Sequence, residues 1–174
     1  TICTQNRHHY FGTIIDGEMY LSDTGKIANE FWSEIPKHFP FVELGNFVIM
    51  PNHIHGILIL NKPVETLHCN VSNPNENNDA LHCNVENIQT LQCNVSTEKN
   101  DMGKISPKSG SVSVIVRSFK SAVTKISKKT NPDFGWQSRF YDHVIRDAVS
   151  FENIRNYIDQ NPLKWKEDSF FGTE

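Results

Sequence analysis

"FVELGNFVIMPNHIHGILIL" (residues 41–60) holds two short apolar runs on either side of Pro51-Asn52. Proline and asparagine together punctuate a chain at a turn. The runs before and after, 41–50 and 53–60, have the length and the β-branched and aromatic content of strands. Two such strands across a tight turn make an antiparallel pair. The second strand carries His53 and His55, one residue apart. Alternation sends both to one face, with α-carbons roughly 6.6–6.8 Å apart, and sends Ile54 the other way, into the core. Gly56 removes a side chain from the face of Ile54. Two imidazoles at that separation can share a metal ion through their ring nitrogens. They can equally be two partly buried histidines satisfied by backbone or water, and the spacing leaves both readings open.

The neighbouring segments build a domain around this pair. "YFGTIIDGEMYLSD" (10–23) alternates about Asp16-Gly17, a favoured hairpin turn. In 22–36, Ile27, Phe31 and Ile35 recur every four residues, predicting an amphipathic helix capped by Ser22 or Asp23 and closed by Pro36. Residues 111–129 place Val112, Ile115, Val116, Phe119, Val123 and Ile126 on one helical face, with basic residues opposite. "WQSRFYDHVI" (136–145) reads as a strand. A last helix starts near Ser150, turns Phe151, Ile154 and Ile158 inward, and stops before Pro162. "TICT" at the start reads as part of a first strand that has been cut short. The order is that of an α+β, ferredoxin-like split β-α-β antiparallel sheet, with an extra N-terminal hairpin and a C-terminal helix. One domain over 1–174 is expected. That fold hosts many functions, so the site must decide.

Residues 61–110 interrupt this pattern. They are polar and Asn-rich, and carry "LHCNV" at 67–71 and 81–85 and "LQCNV" at 91–95. Cys69, Cys83 and Cys93 lie in these copies but lack the close cysteine spacing of structural zinc sites. A decayed tandem repeat in a loosely ordered or disordered insertion explains them more simply. The Asn-Val-Ser triplets at 70 and 94 matter as glycosylation sites only in a secreted protein. The chain shows no run of 18 apolar residues and no basic-then-apolar leader, so neither a membrane span nor secretion is expected.

The net charge of the 174 residues is −3, which argues weakly against nucleic acid. Residues 111–146 depart from it. Arg117, Lys120, Lys125, Lys128, Lys129, Arg139 and Arg146 stand there against Asp133 and Asp142. A local basic face governs phosphate binding more than the total does, although a solvated helix face has the same composition.

A metal held by two histidines needs a third ligand, and residues 50–60 contain no carboxylate. The C-terminal helix offers Tyr157 and Asn161, four residues apart and on one face. The Asn161 amide oxygen suits a hard ion such as Mg²⁺ or Mn²⁺. The Tyr157 phenol can attack phosphorus once an ion polarises the phosphate, or can simply be a boundary aromatic.

"FVIMPNHIHGILIL" resembles the His-hydrophobic-His (HUH) strand of the single-tyrosine HUH transposases. "GWQSRFYDHVIRD…IRNYIDQNP" and "VRSFKSAVTK" resemble the C-terminal signature and connecting helix of the REP-associated tyrosine transposase branch. The likeness spans residues 1–60 and 111–166. It implies that His53, His55 and Asn161 hold a divalent ion, Mg²⁺ or Mn²⁺, and that Tyr157 is the nucleophile. Tyr141 competes for that role but lacks a following amide at the fourth position, and Gln160 is the alternative amide. The implied reaction is nicking and rejoining of single-stranded DNA near hairpins through a 5′-phosphotyrosine link. Arg117, Lys120, Lys125, Arg139 and Arg146 would hold its phosphates. A monomer or homodimer, cytoplasmic and nucleoid-associated when bound to DNA, is expected. Two other readings stand beside it: a catalytically inactive or domesticated sequence-specific DNA-binding protein, and a metal-binding module built on the Cys/His repeats.

Overall fold

The computed structural model describes residues 1–61 and 110–171. The expectations for the repeat-bearing insertion, with Cys69, Cys83, Cys93 and both Asn-Val-Ser triplets, lie outside the described residues. Those described form an α+β body. Its elements are β1 (Ile2–Cys3), β2 (Gly12–Ile15), β3 (Glu18–Leu21), α1 (Asp23–Ser33), α2 (Ile35–His38), β4 (Val42–Ile49), β5 (His53–Leu60), α3 (Val112–Ser127) and α4 (Ala148–Gln160). Single 3₁₀ turns occupy Gln5–Arg7 and Trp165–Glu167.

The strand pair of 41–60 forms as its sequence predicts. β4 and β5 run antiparallel with Ile49 opposite Ile54, Val48 opposite His55 and Phe47 opposite Gly56; a bulge follows between Leu44 and Phe47. β1 lies on the other side of β5, also antiparallel, with Cys3 opposite His53. The sheet order is therefore β1-β5-β4, and the histidine strand is central. β2 and β3 form a separate hairpin. At its turn Asp16 and Gly17 have φ of 51° and 81°, the left-handed pair that matches strand twist in a two-residue loop.

The two faces of the central sheet are covered differently. On the face of Ile54, α1 and α3 pack together and supply Ala28, Trp32, Ile115, Val116, Phe119 and Val123 to one core with Ile2 and Ile54. Trp32 meets Phe119 edge-on, with ring centroids 5.2 Å apart. A β-carbon at Gly56 would lie 2.3 Å from Cζ2 of Trp32, so the missing side chain is what lets the indole reach the strand. On the opposite face α4 lies against β4 and β5.

Helix ends follow local chemistry. Ser22 caps α1: its Oγ accepts from Gly25 N at 3.1 Å and donates to Tyr10 O at 2.7 Å. Pro36 does not simply close this helix. It opens the short α2, where a residue without an N–H costs nothing in the first turn. Asp147 caps α4, its Oδ1 accepting from Ser150 N at 2.8 Å, so the helix begins at Ala148, ahead of Ser150. Of the three residues expected to face inward from α4, only Ile158 is buried, while Phe151 and Ile154 are half-buried.

The expected strand at 136–145 is absent. Trp136 makes an isolated bridge with Thr4, Gln137 N donates to Cys3 O at 2.9 Å, and Tyr141 N donates to Thr1 O at 3.0 Å. The segment thus runs beside β1 without a continuous ladder. The reason is physical: Trp136 and Phe140 pack against the core, but beyond them the alternating side chains meet solvent. Tyr141 and Val144 are each 68% exposed. Lys120 secures the stretch instead, its Nζ donating to Gln137 O at 2.7 Å and Arg139 O at 3.3 Å. Among the described residues no helix is long and apolar enough to cross a membrane.

Candidate functional site

Period-two alternation puts His53 and His55 on the face covered by α4, with ring centroids 4.6 Å apart. His53 is fully buried and His55 nearly so. The neighbouring Asn52 fixes the protonation of His53. Its Nδ2 donates to Phe170 O at 2.9 Å, so its Oδ1 is an acceptor. His53 Nδ1 lies 2.8 Å from that oxygen and must carry the proton. The other nitrogen, Nε2, therefore presents a lone pair, and it has no hydrogen-bond partner although it is buried. A buried acceptor without a donor costs on the order of 1–3 kcal/mol, which a bound cation would relieve. An imidazole held by one nitrogen and open at the other is the usual posture of a metal ligand.

His55 has a partner at each nitrogen. Its Nδ1 lies 2.8 Å from Thr1 Oγ1, and its Nε2 is 3.4 Å from the Tyr157 hydroxyl. A phenol donating to Nε2 goes with a proton on Nδ1 donated to Thr1. Burial holds both imidazoles neutral, pushing His53 down to about 2, with His55 adding to the effect, and His55 down to about 4. Neutral imidazole is the form that binds metals.

α4 and its C-terminal cap supply Tyr157 and Asn161 to this site. Tyr157 is half exposed and its ring meets His55 edge-on at 5.2 Å. Burial, and then the charge of Asp168, hold its phenol above the usual range, so it is protonated near neutrality. One turn on, Asn161 is buried, and its Oδ1 is a second interior acceptor without a donor. Gln160, the alternative amide, is exposed. Tyr141 is exposed too, and its backbone pairs with that of Thr1.

One member of the cluster was not anticipated from the sequence. After α4 the chain returns across the histidine face. Asp168 sits there with a ligand oxygen, and it and a nitrogen from each of His53 and His55 all lie within 4.8 Å of one another. Asp168 Oδ2 accepts from Asn161 Nδ2 at 3.1 Å and Oδ1 accepts from Phe170 N at 2.8 Å. The Phe170 ring covers His53 at 4.5 Å, and Arg7 holds the strap by donating to Ser169 O at 3.1 Å. Nothing in "KEDSFF" announces this; only the return path of the backbone creates it. Two neutral imidazoles, an amide oxygen and a carboxylate form a mixed nitrogen and oxygen donor set suited to a divalent ion.

The basic residues separate into two groups. Arg117, Lys125, Arg139 and Arg146 are exposed. Lys120 is half-buried, its ammonium given to two carbonyls and lying 5.8 Å from the centre of the Trp136 ring.

The described residues thus form an α+β body with a histidine pair on its central strand and a helical tyrosine against it. No family model matches the chain, and no solved structure does. An uncharacterized protein of Haemophilus influenzae is 35% identical over 172 residues, covering 98% of this chain and 82% of that one. The chain belongs to the same family as that protein. A second Haemophilus influenzae protein, named "Putative REP-associated tyrosine transposase", is 27% identical over 158 residues, 89% of this chain and 70% of that one.

Proposed function

We propose that the protein is a transposase of the REP-associated tyrosine type, a metal-dependent enzyme that cleaves and rejoins single-stranded DNA near hairpins. The observation that carries this reading is the Tyr157 hydroxyl 3.4 Å from His55 Nε2, beside two buried acceptors that lack donors, His53 Nε2 and Asn161 Oδ1. Similarity to the transposase-named relative supports it. So does the sheet: the segment at 136–141, β1, β5 and β4 succeed one another antiparallel, as in a ferredoxin-like sheet whose last strand is irregular. The unit of function is a single domain interrupted by the 61–110 insertion.

In this reading His53, His55 and Asn161 hold the divalent ion. When bound, the ion supplies charge stabilisation at the scissile phosphate. The chain does the rest. Tyr157 gives up its proton, and its oxygen attacks phosphorus while the bond to the 3′ oxygen breaks. A 5′-phosphotyrosine link forms and a 3′-OH departs. The link conserves the phosphodiester energy that attack by water would lose, so a 3′-OH can reverse the step and join strands. The half exposure of Tyr157 suits a nucleophile that must meet a strand from solvent. Exposed Arg117, Lys125, Arg139 and Arg146 serve the phosphate backbone; Lys120 joins them only if DNA competes with its two carbonyls.

The test is direct. Single-stranded hairpin DNA, incubated with the protein and Mg²⁺ or Mn²⁺, is expected to give a covalent adduct that survives denaturing electrophoresis. Tyr157→Phe should lose the adduct and keep the fold. An undiminished adduct in that variant would remove Tyr157 from the reaction. DNA binding without any adduct, unaltered by chelator, would favour a non-catalytic DNA-binding protein instead.

A further inference from the structure

We infer that Asp168 is the anionic ligand of the metal ion, so that the strap following α4 is part of the metal site; this rests on the reading that an ion sits between His53 and His55. Distance supports it first. A carboxylate oxygen of Asp168 and a nitrogen of each histidine lie within 4.8 Å of one another, a triangle a single ion can span.

Charge supports it second. His53, His55 and Asn161 are neutral donors, and all three are buried. A divalent ion held by them alone carries two positive charges into a water-poor site, where uncompensated charge is costly. Among the described residues this histidine and aspartate group is the cluster that can hold a metal. The other acidic residue close on α4, Asp159, accepts both of its hydrogen bonds from Asn46 Nδ2, at 2.8 and 3.0 Å. Asp168 is the carboxylate that neutralises half of the ion's charge.

Preorganisation supports it third. Asn161 Nδ2 and Phe170 N each donate to one oxygen of Asp168, so the carboxylate is fixed while roughly half of its four lone-pair sites stay open. The Asn161 amide then aims Asp168 through its Nδ2, while its Oδ1 stays buried without a donor. Asn52 is used likewise, orienting His53 through Oδ1 and tying down Phe170 O through Nδ2. Histidine strand and strap are built as one cradle. Metal binding should therefore stiffen residues 168–170.

The experiment is Mn²⁺ titration of the full chain by calorimetry, without DNA. Asp168→Asn, close in shape, should weaken Mn²⁺ binding at least ~10-fold, the scale seen for groups that tune metal sites. Glu167→Gln, at the exposed neighbouring residue, should leave it unchanged. In the wild-type chain diamagnetic Mg²⁺ should shift the side-chain carboxylate resonance of Asp168, a readout that holds even if the variant folds poorly. Wild-type affinity in Asp168→Asn, or an unmoved Asp168 carboxylate resonance, would overturn the inference. An adduct formed by wild type together with Asp168-independent metal binding would defeat the inference alone. Asp168-dependent binding without an adduct would defeat the transposase reading alone.

Discussion

Asn52 is fully buried and uses both ends of its amide, one to hold the strap and one to set the His53 proton on Nδ1. Asn52→Ala therefore removes a donor from Phe170 O and an acceptor from His53 together. The expected cost is about 1–3 kcal/mol in stability and ~10–100-fold in metal affinity, read by urea denaturation and by Mn²⁺ titration. An affinity unchanged by this variant would mean that the His53 tautomer does not matter. The histidines also set an acid limit. Their folded values, about 2 and about 4, lie below the ordinary 6.5. Between pH 6.5 and those values the unfolded chain takes up protons that the folded chain refuses. Stability is then full above pH 6.5 and falls as pH drops, by up to about 1.4 kcal/mol per pH unit for each histidine. Urea midpoints measured in chelator from pH 7 to pH 5 should decline, and His53→Gln should flatten the decline. The residues at this site differ in how far they can be read from sequence. His53 and His55 follow from strand alternation, and Tyr157 and Asn161 from helical spacing, because each pair is set by a local period. Asp168 obeys no period. It reaches the histidines because the chain turns back after Pro162, a long-range event with no local mark.

Gly56 shows how one strand position shapes a helix interface. The Trp32 indole occupies the space above it, and Phe47 and Phe119 surround that indole. Gly56→Ala drives a methyl group into the ring, and the core must shift at a cost of about 1–3 kcal/mol. A thermal midpoint lowered by several degrees is the expected result; an unchanged one would mean that Trp32 moves freely. β4, β5, the β2–β3 hairpin, α1 and α3 were legible because apolar period and turn residues agree within each. The segment at 136–145 was misread for a reason that concerns its neighbours. Its alternation is genuine, but an edge strand also needs a layer over its apolar side chains along its whole length. Trp136 and Phe140 find one in the core, whereas Tyr141 and Val144 remain in solvent. Lys120 takes over the task of the missing ladder. Lys120→Ala should thus loosen the 136–140 segment, seen as faster amide exchange at Gln137.

For the molecule as a whole, the net charge of −3 conceals the basic stretch at 111–146. DNA affinity is expected to fall steeply with salt. Each of Arg117→Ala, Lys125→Ala, Arg139→Ala and Arg146→Ala that removes a phosphate contact should reduce the slope of log affinity against log salt by about 0.7 for a single strand. Fluorescence anisotropy with a labelled hairpin measures this; a slope untouched by all four would place DNA on another face. The topology also fixes when the protein can first act. Tyr157 and His55 are 102 residues apart, and Asp168 lies further on. Chains emerge from the ribosome at ~5–20 residues per second, N-terminal part first. The sheet and its histidines can thus be complete while the tyrosine helix is still in the exit tunnel. A nascent chain ending between residues 61 and 156 carries both histidines but neither the tyrosine nor Asp168. The centre assembles only after all of residues 53 to 168 have left the ribosome.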